Sequence, residues 1–433
     1  MKPSIKNALK PETNWQGWQK VLFRYGFVAL SLLSLIAYNP VIMALDISWA
    51  NQNAFFAHLQ GLAGSLDNHI FHLGYLPASH SLYFSDNHFG VIITLTILLI
   101  SVLATILWTF FDKATANYNR LYFWFCNYLA YYIFLAMVTY AIEKVIPVQA
   151  TYPDAAQLMS RFGSFRKWEL LFLFIGASPA YCMFCGWLEL IASTLILFNR
   201  TRVLGGLLLI AVLTQVVCFN IFYNNSIILL SSILLVSTLF IMARALPKLY
   251  SILVKLQPVS LAEYRYRFTT PWKKYAVILL CFLPVWKVYA VTLKSWKYYS
   301  AVEHNRQSQR LYMVTKFSQQ NDTIPSSAND TILWKYAIFF DYSPRLRTLI
   351  KYDMQEKPKS YRYSWDTVKH TLLVFDKMDT LHKNSFTYVG SVNGNLQLKG
   401  VWQGKSTAME LKNTPVDSLT LVKDKFLFMQ EDQ

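Results

Sequence analysis

The 433 residues are 54% hydrophobic and only 15% charged, well below the roughly 25% charged residues of a soluble globular protein. That balance excludes a wholly soluble protein, a disordered chain and a collagen-like one, and the 5 cysteines, all inside apolar runs, exclude a disulfide scaffold. The net charge of +17 does not point to nucleic acid: residues 300–433 hold 18 Lys/Arg against 14 Asp/Glu, and the excess lies in residues 1–299, mostly beside long apolar runs.

A spanning helix needs about 20 apolar residues, and seven runs approach or exceed that, at 20–38, 89–111, 121–142, 169–198, 203–222, 226–243 and 275–295. The first lacks a clear small-residue cleavage site and reads as a retained signal anchor. The fourth is long enough to tilt, or to begin as an outer half-turn before Pro179. Cytoplasmic loops are enriched in Lys and Arg. A cytoplasmic N-terminus puts sixteen of them inside, Lys2 to Arg24 first and Arg244 to Lys274 last. The opposite loops then hold only Lys144, Arg161, Arg166 and Lys167. The expected arrangement is a helical bundle over 1–299 in a bacterial-type inner membrane, followed by an extracytoplasmic β-rich domain over 300–433. The lipid bilayer is the first expected partner, and nucleic acid is not one.

The loop 38–88 has no Lys or Arg but carries five of the eight histidines. His69 and His72 would share a helix face if Leu66–Leu73 is helical. With Asp67 or Asp86 they could bind a transition metal; the other reading is an aromatic-rich interfacial loop, and no metal site is assigned. Between the third and fourth runs, Met159–Trp168 mixes Arg, Lys, Phe and Trp, as a surface-lying amphipathic segment or an ordinary anchored loop would.

Beyond residue 300, Gln319–Asp330 reads as a loop. Eight short alternating runs follow: Lys335–Asp341, Leu346–Tyr352, Ser360–Trp365, His370–Phe375, Ser385–Gly390, Leu396–Trp402, Thr407–Lys412 and Lys425–Met429. Period-2 patterning between turn signals predicts a small antiparallel sandwich or barrel.

Ionisable residues inside apolar runs are expensive and are the candidate functional groups. Counting 1.5 Å per residue puts Glu189, Lys287 and Gln215 at similar depth in three helices. A Glu189–Lys287 pair with Gln215 beside it would be a buried proton-handling site or an interhelical clamp. Cys182 and Cys185, at i and i+3, are candidate redox thiols or simply packing. Glu143 and Lys144 end the third run and could line an outer opening, faced by Asn220 and Asn224, or could reach to water.

The stretches Tyr140–Gln149 (YAIEKVIPVQ), Gly176–Phe198 (GASPAYCMFCGWLELIASTLILF) with Asn199-Arg200-Thr201, and Asn220–Asn224 (NIFYN) resemble the DoxX-like membrane protein family. Gly186, Glu189, Arg200 and Thr201 fall on matching positions, and the four-helix core would cover about 121–245. The resemblance implies a membrane four-helix core and, unevenly across the family, an association with quinone-linked sulfur oxidation and thiol-oxidant defence. The family's Tyr-Asp-Val-Pro-Val-Lys is replaced here by Tyr223-Asn224-Asn225-Ser226-Ile227, which removes an acid and a base. Two functional expectations follow. One is an accessory or subunit of a membrane redox system handling a quinone or lipid-phase thiol oxidant. There a buried Glu189 would exchange protons at quinone oxygens, Lys287, Gln215, Glu143 and Asn220 would line the site, and electrons would come from a partner. The other is a non-enzymatic scaffold that docks an envelope protein through its outer β domain.

Overall fold

A computed structural model describes residues 14–37, 54–74, 86–260, 271–320, 322–323, 332–343, 346–376, 383–390 and 394–423. The helices in chain order are α1 (Gly17–Leu32, running on as a π turn Leu33–Ala37), α2 (Ala54–Leu66, followed by the π turn Asp67–Phe71), α3 (His88–Phe111), α4 (Asn119–Val145), α5 (Lys167–Ala177), α6 (Pro179–Leu195), α7 (Arg202–Phe222), α8 (Ile228–Met242), α9 (Ala245–Leu253) and α10 (Pro271–Gln307). The chain forms two compact units, Met1–Gln149 with Tyr181–Ser295, and Ala150–Ala180 with Trp296–Gln433. The segment 150–180 thus belongs with the second unit, and the second boundary falls inside α10.

In the helical unit α4 is the hub. Its residues Leu129, Ile133 and Ala136 are wholly buried, in one cluster with Ile92, Ile93 and Ile97 of α3 and with Leu230 and Leu234 of α8. A helix apolar on all faces is stable only when surrounded, and α4 has little polar surface to offer. The ends are tied by polar contacts. Asn87 caps α3 by accepting from the Gly90 N–H, and the Asp86 carboxylate accepts from the first amides of α8, Ile228 and Leu229. Arg24 is buried, donating to the Tyr118 hydroxyl, to Thr109 Oγ1 and to the Asp112 carbonyl.

Three helices, α3, α4 and α7, are long and apolar enough to cross a membrane, and the bent pairs α5–α6 and α8–α9 would each make one more. These are the runs expected at 89–111, 121–142, 203–222, 169–198 and 226–243. The two other expected spans fall on α1, sixteen residues long before its π turn, and on α10, which overruns 275–295 at both ends and contains Pro284. The described residues therefore carry three to five candidate spans rather than seven. The 169–198 run is not one helix: it breaks at Ser178, because Pro179 cannot donate to a preceding turn but suits the first turn of a new one. On α3 the outward face is Leu103, Ile106, Leu107 and Phe110, more than half exposed, a stripe that suits lipid.

The second unit is built on a closed antiparallel barrel. Its strands are β1 (Arg310–Gln319), β2 (Asp322–Thr323), β3 (Tyr336–Ser343), β4 (Leu346–Tyr352), β5 (Pro358–Asp366), β6 (Thr371–Asp376), β7 (Lys383–Gly390), β8 (Leu396–Trp402) and β9 (Lys405–Thr414). Neighbours pair in sequence from β3 to β9, β1 joins β3 to β9, and the two-residue β2 pairs with β1 alone, so eight strands close the ring. Closure removes the open edges of a sheet. The bore is filled by side chains: Trp334 and Trp402 meet edge to face at 4.9 Å, with Tyr361, Phe386, Leu349 and Leu398 buried around them. Gly400 permits this crowding, since a Cβ there would run into the Ser385 carbonyl.

Two strands, Leu346–Tyr352 and Leu396–Trp402, match the sequence reading to the residue. β1 is absent from that reading, because a bulge between Val314 and Lys316 breaks the period-2 alternation. The expected strand at Lys425–Met429 lies outside the described residues, as does most of the Gln319–Asp330 loop.

The segment 150–166 is strapped across the barrel. Asp154 caps a single turn, Ala155–Leu158, whose Ala155 is wholly buried with Leu311, Ile338, Phe340 and Tyr352. The Tyr352 hydroxyl donates to the Ala156 carbonyl at 3.1 Å, and Arg161 reaches Glu356 at 2.8 Å, which Lys335 also pairs at 2.6 Å. Hydrogen bonds from Lys335 and Arg161 hold the Glu356 carboxyl below the usual carboxylate range. A depressed folded value means the strap's ionic contribution is present above the unfolded glutamate value, about 4.3, and is lost as pH falls through the folded one. Amide-exchange protection of residues 155–166 should be high at neutral pH, fall on acidification through that window, and fall at neutral pH in Glu356→Gln. Equal protection in wild type and variant at neutral pH would show that the strap holds without this ion pair.

Candidate functional site

One face of α6 carries the site. Cys182, Gly186, Glu189 and Ser193 follow at spacings of four, three and four residues and are all buried. At Gly186 the helix touches the last turn of α4 backbone to backbone. A Cβ at that position would lie 2.6 Å from the Val145 nitrogen and 2.7 Å from the Ala141 carbonyl oxygen. Such closeness is open only to glycine. One turn further along α6, Glu189 Oε1 accepts from Lys144 Nζ at 2.5 Å, with Glu189 almost fully buried and Lys144 mostly so. The Cys182 thiol, on the other side of Gly186, donates to the Lys144 carbonyl at 3.5 Å. The second carboxylate oxygen of Glu189, Oε2, is buried and has no hydrogen-bond partner.

Glu143, next in sequence, turns towards α10. Val288 and Val291 of α10 pack on Phe134, Leu135, Val138 and Ile142 of α4, which brings Lys294 and Lys287 into electrostatic contact with Glu143. Its carbonyl also accepts from the amides of Val148 and Gln149, closing the turn at Pro147. Two carboxylates and three ammonium groups from α4, α6 and α10 thus form one cluster. The arrangement can clamp three helices together. At Glu189 Oε2 it also presents an acceptor, or on protonation a donor, that the protein itself does not use.

Several expectations are corrected here. Glu189 pairs with Lys144, not Lys287, because the close approach of α6 to the last turn of α4 at Gly186 sets Lys144 beside it, and a depth count along each helix carries no such lateral contact. Lys287 serves Glu143 instead. Gln215 is not part of the layer: it is exposed on α7. Asn220 does not face Glu143 and Lys144. Its amide donates to Ser231 Oγ at 3.0 Å and accepts from Asn225, pinning α7 to α8. Asn224, at φ 54°, is the left-handed residue that ends α7, with the Asn225 N–H returning to the Asn220 carbonyl. That cap stands where the family pattern has its acid. Cys182 and Cys185 are both free thiols in different surroundings: Cys182 is wholly buried, whereas Cys185 is half-buried beside the Tyr181 hydroxyl.

Among the described residues no three His, Cys, Asp or Glu side chains gather as metal ligands would. His69 Nδ1 lies on the Ser65 carbonyl, Asp67 accepts from the Leu73 amide, and Asp86 is engaged at the start of α8. His80 lies outside the described residues. Lys144 is the residue that sequence reasoning assigned to the interface and the structure brings inside. The signal that could have found it is Gly186 three residues before Glu189, since a helix contact at a glycine places its i+3 carboxylate beside the partner helix.

No family model, no curated protein and no solved structure matches the chain.

Removing one partner of a buried pair strands the other charge, at a cost of about 3–5 kcal/mol, whereas replacing both by apolar groups is close to neutral. Unfolding of the detergent-solubilised protein should show Glu189→Met and Lys144→Met each strongly destabilised, with the double variant recovering most of the loss. Gly186→Ala should cost about 1–3 kcal/mol through the forced separation of α6 from α4. Additive single and double effects would mean that the pair is not coupled.

Proposed function

We propose that the chain is an integral protein of a bacterial-type inner membrane that acts as a non-enzymatic scaffold, its bundle an anchor and its barrel a docking surface for an envelope protein. In this reading there are seven spans, the N-terminus is cytoplasmic and the barrel is extracytoplasmic. The support for that orientation is the run of Lys and Arg on alternate loops. The observation that carries the docking role is the filled bore of the barrel, where Trp334, Trp402, Tyr361 and Phe386 occupy the space a ligand would need. What such a barrel offers a partner is its outside, held rigid by closure and by the 150–166 strap. Pairing of Lys144 with Glu189 fits an anchor whose helices must not slide.

A second reading is favoured by one feature, the unused Glu189 Oε2 with the Cys182 thiol on the same helix face. It is the DoxX-like accessory of a membrane redox system. Reduction of a quinone takes two electrons, drawn here from a partner redox protein, and two protons, one passed to a quinone oxygen by Glu189, which is reprotonated from water, and the other taken from water.

Native mass spectrometry of the protein released gently from its own membrane separates the two. The scaffold reading expects a protein partner at fixed stoichiometry, retained in Glu189→Gln and lost when residues 310–423 are deleted. A bound quinone that disappears in Glu189→Gln, with no partner held by the barrel, would overturn it in favour of the redox reading.

A further inference from the structure

At the end of the helical unit where α1 and α4 begin and α3 stops, the chain turns by 70° from α8 into the short helix α9. The corner is fixed. The Tyr122 hydroxyl donates to the Phe240 and Ile241 carbonyls near the end of α8. Arg244, the residue before α9, lies over the rings of Tyr122 and Trp15, 4.3 and 4.8 Å from their centroids, and donates to Asn119 Oδ1 at 2.7 Å. Trp15 donates from its indole to the same Asn119 oxygen. The helix thus leaves the line of a candidate span at a set angle.

Its nine residues present three sides. Ala245, Leu249 and Ile252 pack inward, the first of them buried. Ser251 and, just past the last turn, Lys255 mark a polar edge. The third side is Leu246, Tyr250 and Leu253, at i, i+4 and i+7, and all three are exposed, Leu253 by 70%. The stripe does not stop with the helix. Leu256 follows in the left-handed conformation at φ 53°, with the Gln257 N–H returning to the Ser251 carbonyl, and its side chain is 83% exposed. Glycine is the usual residue at such a cap, so a leucine there accepts backbone strain and adds one more apolar side chain to the exposed side.

Two observations say what covers this side. Around the same end of the unit stand exposed aromatic residues on three other helices, Trp18 on α1, Phe110 and Phe111 on α3 and Trp124 on α4, and a girdle containing tryptophan marks the level where a membrane meets water. A second copy of the chain is poorly suited: a nine-residue helix offers a face of about 14 Å by 10 Å, far below the roughly 800 Å² that each partner buries in a stable dimer. We propose that α9 is an interfacial anchor, lying in the headgroup region of the leaflet at this end of the bundle. Leu246, Tyr250, Leu253 and Leu256 reach the acyl boundary, and Ser251 and Lys255 face water, as in helices that lie along a membrane surface. The inference rests on the bundle lying in a membrane, and is independent of whether the barrel docks a partner.

The test is photo-crosslinking of the full-length protein in bacterial inner-membrane vesicles, read by intact-protein mass spectrometry. Leu253→benzoylphenylalanine and, one turn earlier, Tyr250→benzoylphenylalanine should each gain the mass of one phospholipid on illumination, and Ser251→benzoylphenylalanine should not. Ile106→benzoylphenylalanine, on the exposed stripe of α3, reports separately whether the bundle lies in lipid at all. A phospholipid adduct at Ile106 together with a dimer, another protein or no adduct at both Leu253 and Tyr250 would overturn the proposal and leave the membrane reading standing. Equal phospholipid adducts at Ser251 and Leu253 would overturn the orientation, and with it the proposal. No phospholipid adduct at any of the four positions would overturn the membrane reading and this inference together.

Discussion

The contact on which the helical unit depends is the crossing of α6 over the last turn of α4 at Gly186. Because that position has no side chain, the two backbones touch, and everything one turn away is carried inward with them. Glu189 then has no route to water and must find its counter-charge inside, which it does in Lys144. The lysine in turn cannot reach the surface while it holds Glu189. The pair is a consequence of close packing at a glycine, not of two charges seeking each other. It in turn leaves Glu143, the adjacent residue, to be balanced from α10 by Lys294 and Lys287.

The two units solve the burial of polar groups differently. In the barrel, ring closure satisfies the backbone and the interior is filled mostly by aromatic and aliphatic side chains, with Lys351 buried on β4 and donating to the Ile332 carbonyl. In the bundle, helices satisfy their own backbone, and buried charges are held by partners on neighbouring segments: Arg24 by Asp112 and Tyr118, Arg202 by Asn127, Glu189 by Lys144. Charge buried among helices restricts sliding and rotation, since moving either partner strands the other.

Much of the outline was legible in the sequence. Apolar length located α3, α4 and α7, where one apolar run is uninterrupted, and short β-prone runs between turn signals located β4 and β8 to the residue. Where the pattern is interrupted, legibility failed for a physical reason. The bulge in β1 shifts its alternation by one residue, and the proline after Ser178 divides what composition presents as one long apolar run. Site residues were legible as types and not as partners. Glu189 stands out as a carboxylate in an apolar run, but its partner is decided by a tertiary contact at Gly186 that no local pattern encodes. Gln215 looked equivalent and faces outward, since polarity alone does not say which side of a helix is inside.

The most direct test of this account is a charge swap read by unfolding of the full-length protein. Glu189→Lys should be severely destabilising, as it sets two ammonium groups together in the interior. Adding Lys144→Glu should restore most of the stability, whereas adding Lys287→Glu should not. Rescue by Lys287→Glu, with none from Lys144→Glu, would contradict the central claim that the Gly186 crossing gives Glu189 its partner on α4.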